Sequence, residues 1–158
     1  AVNGVAAGAG ANIAYACDLT VAAESANFIQ SFINIGLIPD SGGTFTLPRL
    51  VGMQHAFGQM ILAPKVSAKE AAEKGMIWKA VPDDALMSEA SELAKRLAVM
   101  PTKAIALTKE ALNRAMGNDL DAQLDAENEL QSIAGRSHDY EEGVKAFLEK
   151  RKPVYRGM

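Results

Sequence analysis

The stretch AVNGVAAGAGANIAYACD, Ala1–Asp18, decides the reading of this chain. An apolar opening runs into a Gly/Ala-rich turn, and small residues follow at helical density. The segment therefore predicts a strand that passes through a turn into a helix. A helix opening on such a turn directs its first unpaired N–H groups, and the positive end of its dipole, at whatever lies above it. That arrangement suits an anion and is the chemistry of an oxyanion hole. The same small residues also serve where a helix packs closely on a sheet, so the run alone leaves both roles open. Gly4, Gly8 and Gly10 lack the G-x-G-x-x-G spacing of a dinucleotide-binding turn.

A second stretch, GLIPDSGGTFTLPR at Gly36–Arg49, is again a loop held at a helix start. Between the two, Leu19–Ala23 reads as a short strand, and Phe28, Ile29, Phe32, Ile33 and Ile35 form an apolar run of ambiguous period that Gly36 ends. Ala1–Asn3 reads as the end of a buried strand and Gly8–Ala16 as the helix, which together suggest an α/β layer. From Met53 the pattern is helical, broken at Ala63-Pro64 and resumed at Ser67, where Ser67 and Glu70 have capping-box spacing. Met76–Val81 reads as a strand whose Trp78 is expected to pack.

The remainder is a helical array. Leu86, Ala90, Leu93 and Leu97 give one apolar face, and further helices are expected around Ala104–Met116, Leu120–Ala134 and Tyr140–Lys152. Glu149, Lys150, Arg151 and Lys152 lie near the end of the last, where the cations would favour the helix dipole.

With 158 residues and 49% hydrophobic content, the chain has enough material for a real core. Its formal charge of −3 argues against a nucleic-acid or anionic-membrane partner. Cys17, the single cysteine, excludes an intrachain disulfide framework and fits a reducing, cytoplasmic setting. Set in an apolar helical run, it is expected to be buried. His55 and His138 stand far apart with no metal-ligand pattern, so no metal is expected. No apolar run reaches membrane-spanning length. The chain opens without Met, already inside a strand-like segment, and is expected to be the later part of a longer protein.

The two Gly-rich stretches, together with SAKEAAEKGMIWKAV at Ser67–Val81 and AFLEKRKP at Ala146–Pro153, resemble the crotonase, or enoyl-CoA hydratase/isomerase, superfamily over essentially the whole chain. The resemblance implies an α/β spiral of ββα units. Residues 1–82 would form the C-terminal part of that core and residues 83–158 a helical trimerisation region, with an N-terminal part not included. It implies acyl-CoA thioester substrates, no cofactor beyond the CoA carried by the substrate, and a homo-oligomer, either a trimer or a dimer of trimers.

By the same resemblance, Ala9, flanked by Gly8 and Gly10, falls where a backbone N–H of the thioester oxyanion hole is found. The second donor would lie in the N-terminal part. Asn12 and Phe32 match the positions of the two glutamates of the family's hydratases, and neither can shuttle a proton as a carboxylate would. Asp40 stands where hydratases have Gly and where other members place a catalytic carboxylate. Outside the family, an Asp at this point is an ordinary turn former. Inside an acyl pocket it would be desolvated and raised in pKa, as suits a group that takes and returns a proton. Asn12 would either bind substrate or cap structure. Phe28, Phe32 and Phe45 would line the pocket. Lys150 matches a position reaching for CoA phosphate, with a solvated helix end as the plain alternative.

These departures favour an acyl-CoA isomerase with Asp40 as acid/base. GAGANIA at Gly8–Ala14, IPDSGGT at Ile38–Thr44 and AGRSHDYEEGVKAFLEKRKP at Ala134–Pro153 resemble the members that act on an aromatic ring-epoxide thioester. The alternatives are a 3-enoyl- to 2-enoyl-CoA isomerase, an enoyl-CoA hydratase, and a non-catalytic acyl-CoA-binding subunit or inactive fragment.

Overall fold

The computed structural model describes residues 1–158. Its elements run β1 (Val5–Ala7), α1 (Ala9–Ala16), β2 (Val21–Ala23), β3 (Asn27–Ile29), a 3-10 turn at Ser31–Ile35, α2 (Gly43–Val51), α3 (Met53–Leu62), β4 (Val66–Ser67), α4 (Ala68–Glu73), β5 (Lys79–Val81), a 3-10 turn at Asp83–Ala85, then α5 (Leu86–Ala98), α6 (Thr102–Ala115), α7 (Leu120–Ala134) and α8 (His138–Leu148). Two compact units result, Ala1–Glu92 and Leu93–Met158, and the division falls within α5.

The first unit holds two small sheets. In one, β1 pairs in parallel with β3, Ala6 opposite Phe28, and β3 pairs antiparallel with β4. In the other, β2 and β5 pair in parallel, Ala22 opposite Ala80. The strand expected at Ala1–Asn3 is a single bridge from Val2 to Ala22, and the strand that leads into the turn is Val5–Ala7. Gly4 separates these two short apolar runs, so they join different sheets.

The core of this unit is built largely from alanine. Ala6, Ala11, Ala22, Ala26, Ala68 and Ala71 are buried around Phe28 and Leu47. Small side chains let helices approach strands closely, and Phe28 supplies bulk by stacking on Tyr15 with ring centroids 5.5 Å apart. Burial there pushes the Tyr15 phenol well above its usual pKa. Phe28 is therefore core rather than pocket lining.

Local signals explain most helix ends. Ser67 Oγ accepts from the Glu70 N–H at 3.2 Å and caps α4. The Glu70 carboxylate does not complete the reciprocal box but pairs with Lys74 at 2.6 Å. Ala63, at φ 45, stops α3 just before Pro64. Two expectations fail. Cys17 is exposed, because α1 ends at Ala16 and the chain turns extended there. Trp78 is 61% exposed, because it precedes β5 while its neighbours Met76 and Ile77 take the buried positions.

In the second unit, Asp119 caps α7 through the Ala122 N–H, and Ser137 caps α8 through the Tyr140 N–H. Helix α8 ends at Leu148, earlier than the expected Lys152. Arg151 lies beyond it and pairs with Glu142 through two bonds of 2.6 and 2.8 Å, and with Glu149 at 2.6 Å. The final residues fold back on this helix: the Asp139 carboxylate accepts from the N–H groups of Arg156 and Gly157 at 2.7 and 2.9 Å. Burial raises the Asp139 carboxyl, but the two N–H donors together with His138 outweigh it and leave it below the usual range. The Arg151 guanidinium, helped by the Val154 N–H, holds Glu142 down at about 2. No helix is long and apolar enough to cross a membrane.

Candidate functional site

The turn between β1 and α1 is fixed by Gly8. Its φ of 53 and ψ of −122 belong to a region open to glycine, and a Cβ there would come within 3.4 Å of the Phe32 ring. The Gly8 N–H donates to the Ile29 carbonyl at 2.9 Å, so the turn is pinned to the end of β3. Ala9 is then the first residue of α1, and its N–H is among those that have no partner one helical turn back. Gly10 is exposed, and a Cβ on it would meet nothing within 4 Å, so the outer side of the turn is open. Phe32 is buried with its ring edge against Gly8; it forms the wall behind the turn.

Asn12, one helical turn further on, is completely buried. Its Nδ2 donates to the main-chain carbonyl of Asp40 at 2.9 Å, and its Oδ1 accepts from Gln30 Nε2 at 2.7 Å. The Asn12 carboxamide is thus enclosed and engaged within the chain. Helix α2 closes over it at Gly43, where a Cβ would stand 2.2 Å from Asn12 Nδ2. The same glycine N–H donates to the Asp40 carbonyl at 2.8 Å.

Asp40 itself is exposed in this chain. Its Oδ1 accepts from Ser41 Oγ at 2.9 Å. Ser41 at φ 50 and Gly42 at φ 76 reverse the chain directly after it and start α2. Phe45, on α2, is 56% exposed and lies under the Arg49 guanidinium, 3.6 Å from its ring centre.

Gly8, Ala9, Gly10, Asn12, Phe32 and Asp40 thus belong to one continuous arrangement around α1. Lys150 lies in the helical unit, exposed, past the end of α8 at φ 54. Three residues of the arrangement were not singled out from the sequence: Gln30, Gly43 and Ser41. The Ser41-Gly42-Gly43 turn was visible as a pattern, whereas no local pattern marks Gln30. Chemically, the arrangement sets a row of backbone N–H donors and a carboxylate on two elements that Asn12 ties together.

The enoyl-CoA hydratase/isomerase family matches residues 1–158. The chain is 52% identical to the 1,2-epoxyphenylacetyl-CoA isomerase of Escherichia coli (strain K12), over 99% of this chain and 60% of that protein. It is 51% identical to a Rhodobacter capsulatus protein named "Probable enoyl-CoA hydratase", over 99% of this chain and 61% of the relative. Among solved structures, it is similar to the enoyl-CoA hydratase of Bacillus anthracis, with a TM-score of 0.94 and 36% identity over 99% of this chain and 60% of that one. The chain thus spans roughly three fifths of these relatives' length, as the 60% and 61% shares show. It carries the crotonase fold over that span, and with the match running from its first residue to its last, the chain belongs to the enoyl-CoA hydratase/isomerase family.

Proposed function

We propose that the protein to which this chain belongs is an acyl-CoA isomerase that converts ring-1,2-epoxyphenylacetyl-CoA to its oxepin form, a step of phenylacetate breakdown. The observation that carries this reading is the tie between helix α1 and Asp40: the Asn12 carboxamide, on the helix that opens at the Gly8 turn, bonds the main chain of the residue that bears the carboxylate. The thioester oxygen is held by the Ala9 N–H and by a second donor N-terminal to this chain. Negative charge that develops on that oxygen meets fixed dipoles, and losing one such donor costs roughly 3 kcal/mol. Asp40 takes and returns a proton, so that atoms are conserved across the reaction. Carboxamide and ring at Asn12 and Phe32 leave no second carboxylate at the positions a hydratase uses, and the similarity to an enzyme named for this isomerisation points the same way.

CoA contacts by Lys150 and assembly as a homotrimer or a dimer of trimers belong to the same proposal. Phe147 and Leu148 on α8, 82% and 74% exposed, give the helical unit apolar surface suited to a partner subunit.

A second reading, enoyl-CoA hydration, draws on the similarity to a relative named as a hydratase. A 3-enoyl-CoA isomerase would use the same Asp40. The deciding experiment gives the full-length protein the epoxide, 3-hexenoyl-CoA and crotonyl-CoA side by side, with product identification. Asp40→Asn should then lower turnover of the epoxide by ~10²- to 10⁴-fold. Unchanged turnover with intact binding would remove Asp40 from the mechanism.

A further inference from the structure

We infer that Asn12 and Gln30 are positioning residues: they form a buried carboxamide relay that fixes the Asp40 peptide and thereby sets the reach of its carboxylate. The inference rests on the reading of Asp40 as the acid/base group.

The polarity of the relay follows from its last member. The Asp40 main-chain carbonyl can only accept, so Asn12 must present its NH2 to it, at 2.9 Å. Asn12 Oδ1 then faces Gln30, which must in turn present its own NH2, at 2.7 Å. Asn12 is fully buried and Gln30 is 2% exposed, so water does not compete for the bond between them, while the bond to Asp40 is part-buried. Gly43 adds the second clamp through its N–H to the same carbonyl at 2.8 Å, and it can do so only because it has no Cβ to strike Asn12. Ser41 holds the other end of the residue through its hydroxyl bond to Oδ1. An exposed carboxylate is thus mounted on a peptide whose orientation is set from inside the core.

The relay is not what packing alone would select. Gln30 Oε1 is buried without a hydrogen-bond partner, a penalty that a methionine of similar shape would avoid. Keeping the amide there is understandable if its NH2 is needed to orient Asn12. Since a displacement of about 1 Å at a catalytic group can cost ~100-fold in rate, a device that fixes the Asp40 peptide acts on kcat rather than on binding.

The test uses the full-length protein with ring-1,2-epoxyphenylacetyl-CoA and 3-hexenoyl-CoA, taking whichever the wild type turns over. Asn12→Leu, close in shape but without hydrogen bonds, should lower kcat by ~10- to 100-fold and leave KM within about threefold. Adding Asn12→Leu to Asp40→Asn should cost nothing further, because both changes act through one group. Gln30→Met, which removes the Gln30–Asn12 bond and leaves the Asn12–Asp40 bond in place, should lower kcat by about 3- to 10-fold; it carries the same test if Asn12→Leu fails to fold. An Asn12→Leu or Gln30→Met protein with wild-type kcat, or a loss that persists undiminished in the Asp40→Asn background, overturns the relay. Amide exchange at Gly43 in the ligand-free protein separates the two ideas. If Asp40→Asn retains full turnover, the acid/base reading fails. Faster Gly43 exchange in Asn12→Leu then still supports the clamp, and unchanged exchange overturns it.

Discussion

The two units hold their polar groups in opposite ways. In Ala1–Glu92 the decisive ties are buried and neutral: Asn12, Gln30 and backbone groups, with Gly43 leaving room for them. In Leu93–Met158 they are charged: the buried Asp139 carboxylate on the Arg156 and Gly157 N–H groups and, nearer the surface, the Arg114 pairs with Glu110 and Glu129 and the Arg151 pairs with Glu142 and Glu149. Buried neutral hydrogen bonds do not fade with salt or moderate pH and fix geometry tightly, while exposed ion pairs are weak and adjustable. The unit that carries the proposed chemistry is the one built for geometry. Its counterpart keeps Phe147, Leu148 and Leu120 exposed and depends for its last residues on charge.

The largest break in this contrast should come from Gly43→Ala. The added Cβ meets a side chain that has nowhere to move, so we expect a loss of roughly 2–4 kcal/mol, read as a lower urea midpoint, together with loss of the Asp40 geometry. A cost below about 0.5 kcal/mol would mean that the buried relay yields easily and that the contrast is overstated.

An intermediate effect is expected at Glu142, and it depends on pH. Its folded pKa is held below its ordinary value, at about 2, chiefly by Arg151. The carboxylate therefore adds stability that is fully present above the unfolded value of 4.5 and is lost as pH falls towards 2. Comparing the wild type with Glu142→Gln should show a stability gap that is constant from pH 5 upward and closes between about pH 4.5 and 2. A gap independent of pH across that window would assign the tail's attachment to something other than this pair.

Smallest of all should be Phe147→Ser. At 82% exposure the ring has little to lose within its own chain, so the change should stay within about 0.5 kcal/mol. A larger loss that grows on dilution would sharpen the comparison, by showing that this face is covered by another subunit.

The sequence made the local structure legible where local chemistry controls it. The Gly8 turn, the Ser67 cap, the stop before Pro64 and the spacing of α5 to α7 all follow from residues within a few positions of one another. What stayed hidden was non-local. Asn12 meets Gln30 across 18 residues and Asp40 across 28, and nothing in either neighbourhood announces the bond. The exposure of Cys17 and Trp78 was hidden for a related reason: apolar character does not reveal which side of an element a sheet will cover. Asp40 is a candidate through resemblance alone, and its exposure and the hydroxyl of Ser41 beside it could only be seen once the chain was folded.

Gly8 has one more consequence, for how this site must be interrogated. Because its backbone admits only glycine, the turn has a single way to present the next peptide, and the group it presents belongs to the main chain of Ala9. Side-chain scanning is blind to such an atom: exchanging Ala9 for Ser or Gly leaves the same hydrogen in the same place. An amide-to-ester replacement at that one peptide, made by semisynthesis or by incorporating an α-hydroxy acid, would delete the hydrogen while preserving the shape. The turn thus calls for chemistry on the backbone itself, which ordinary mutagenesis never touches.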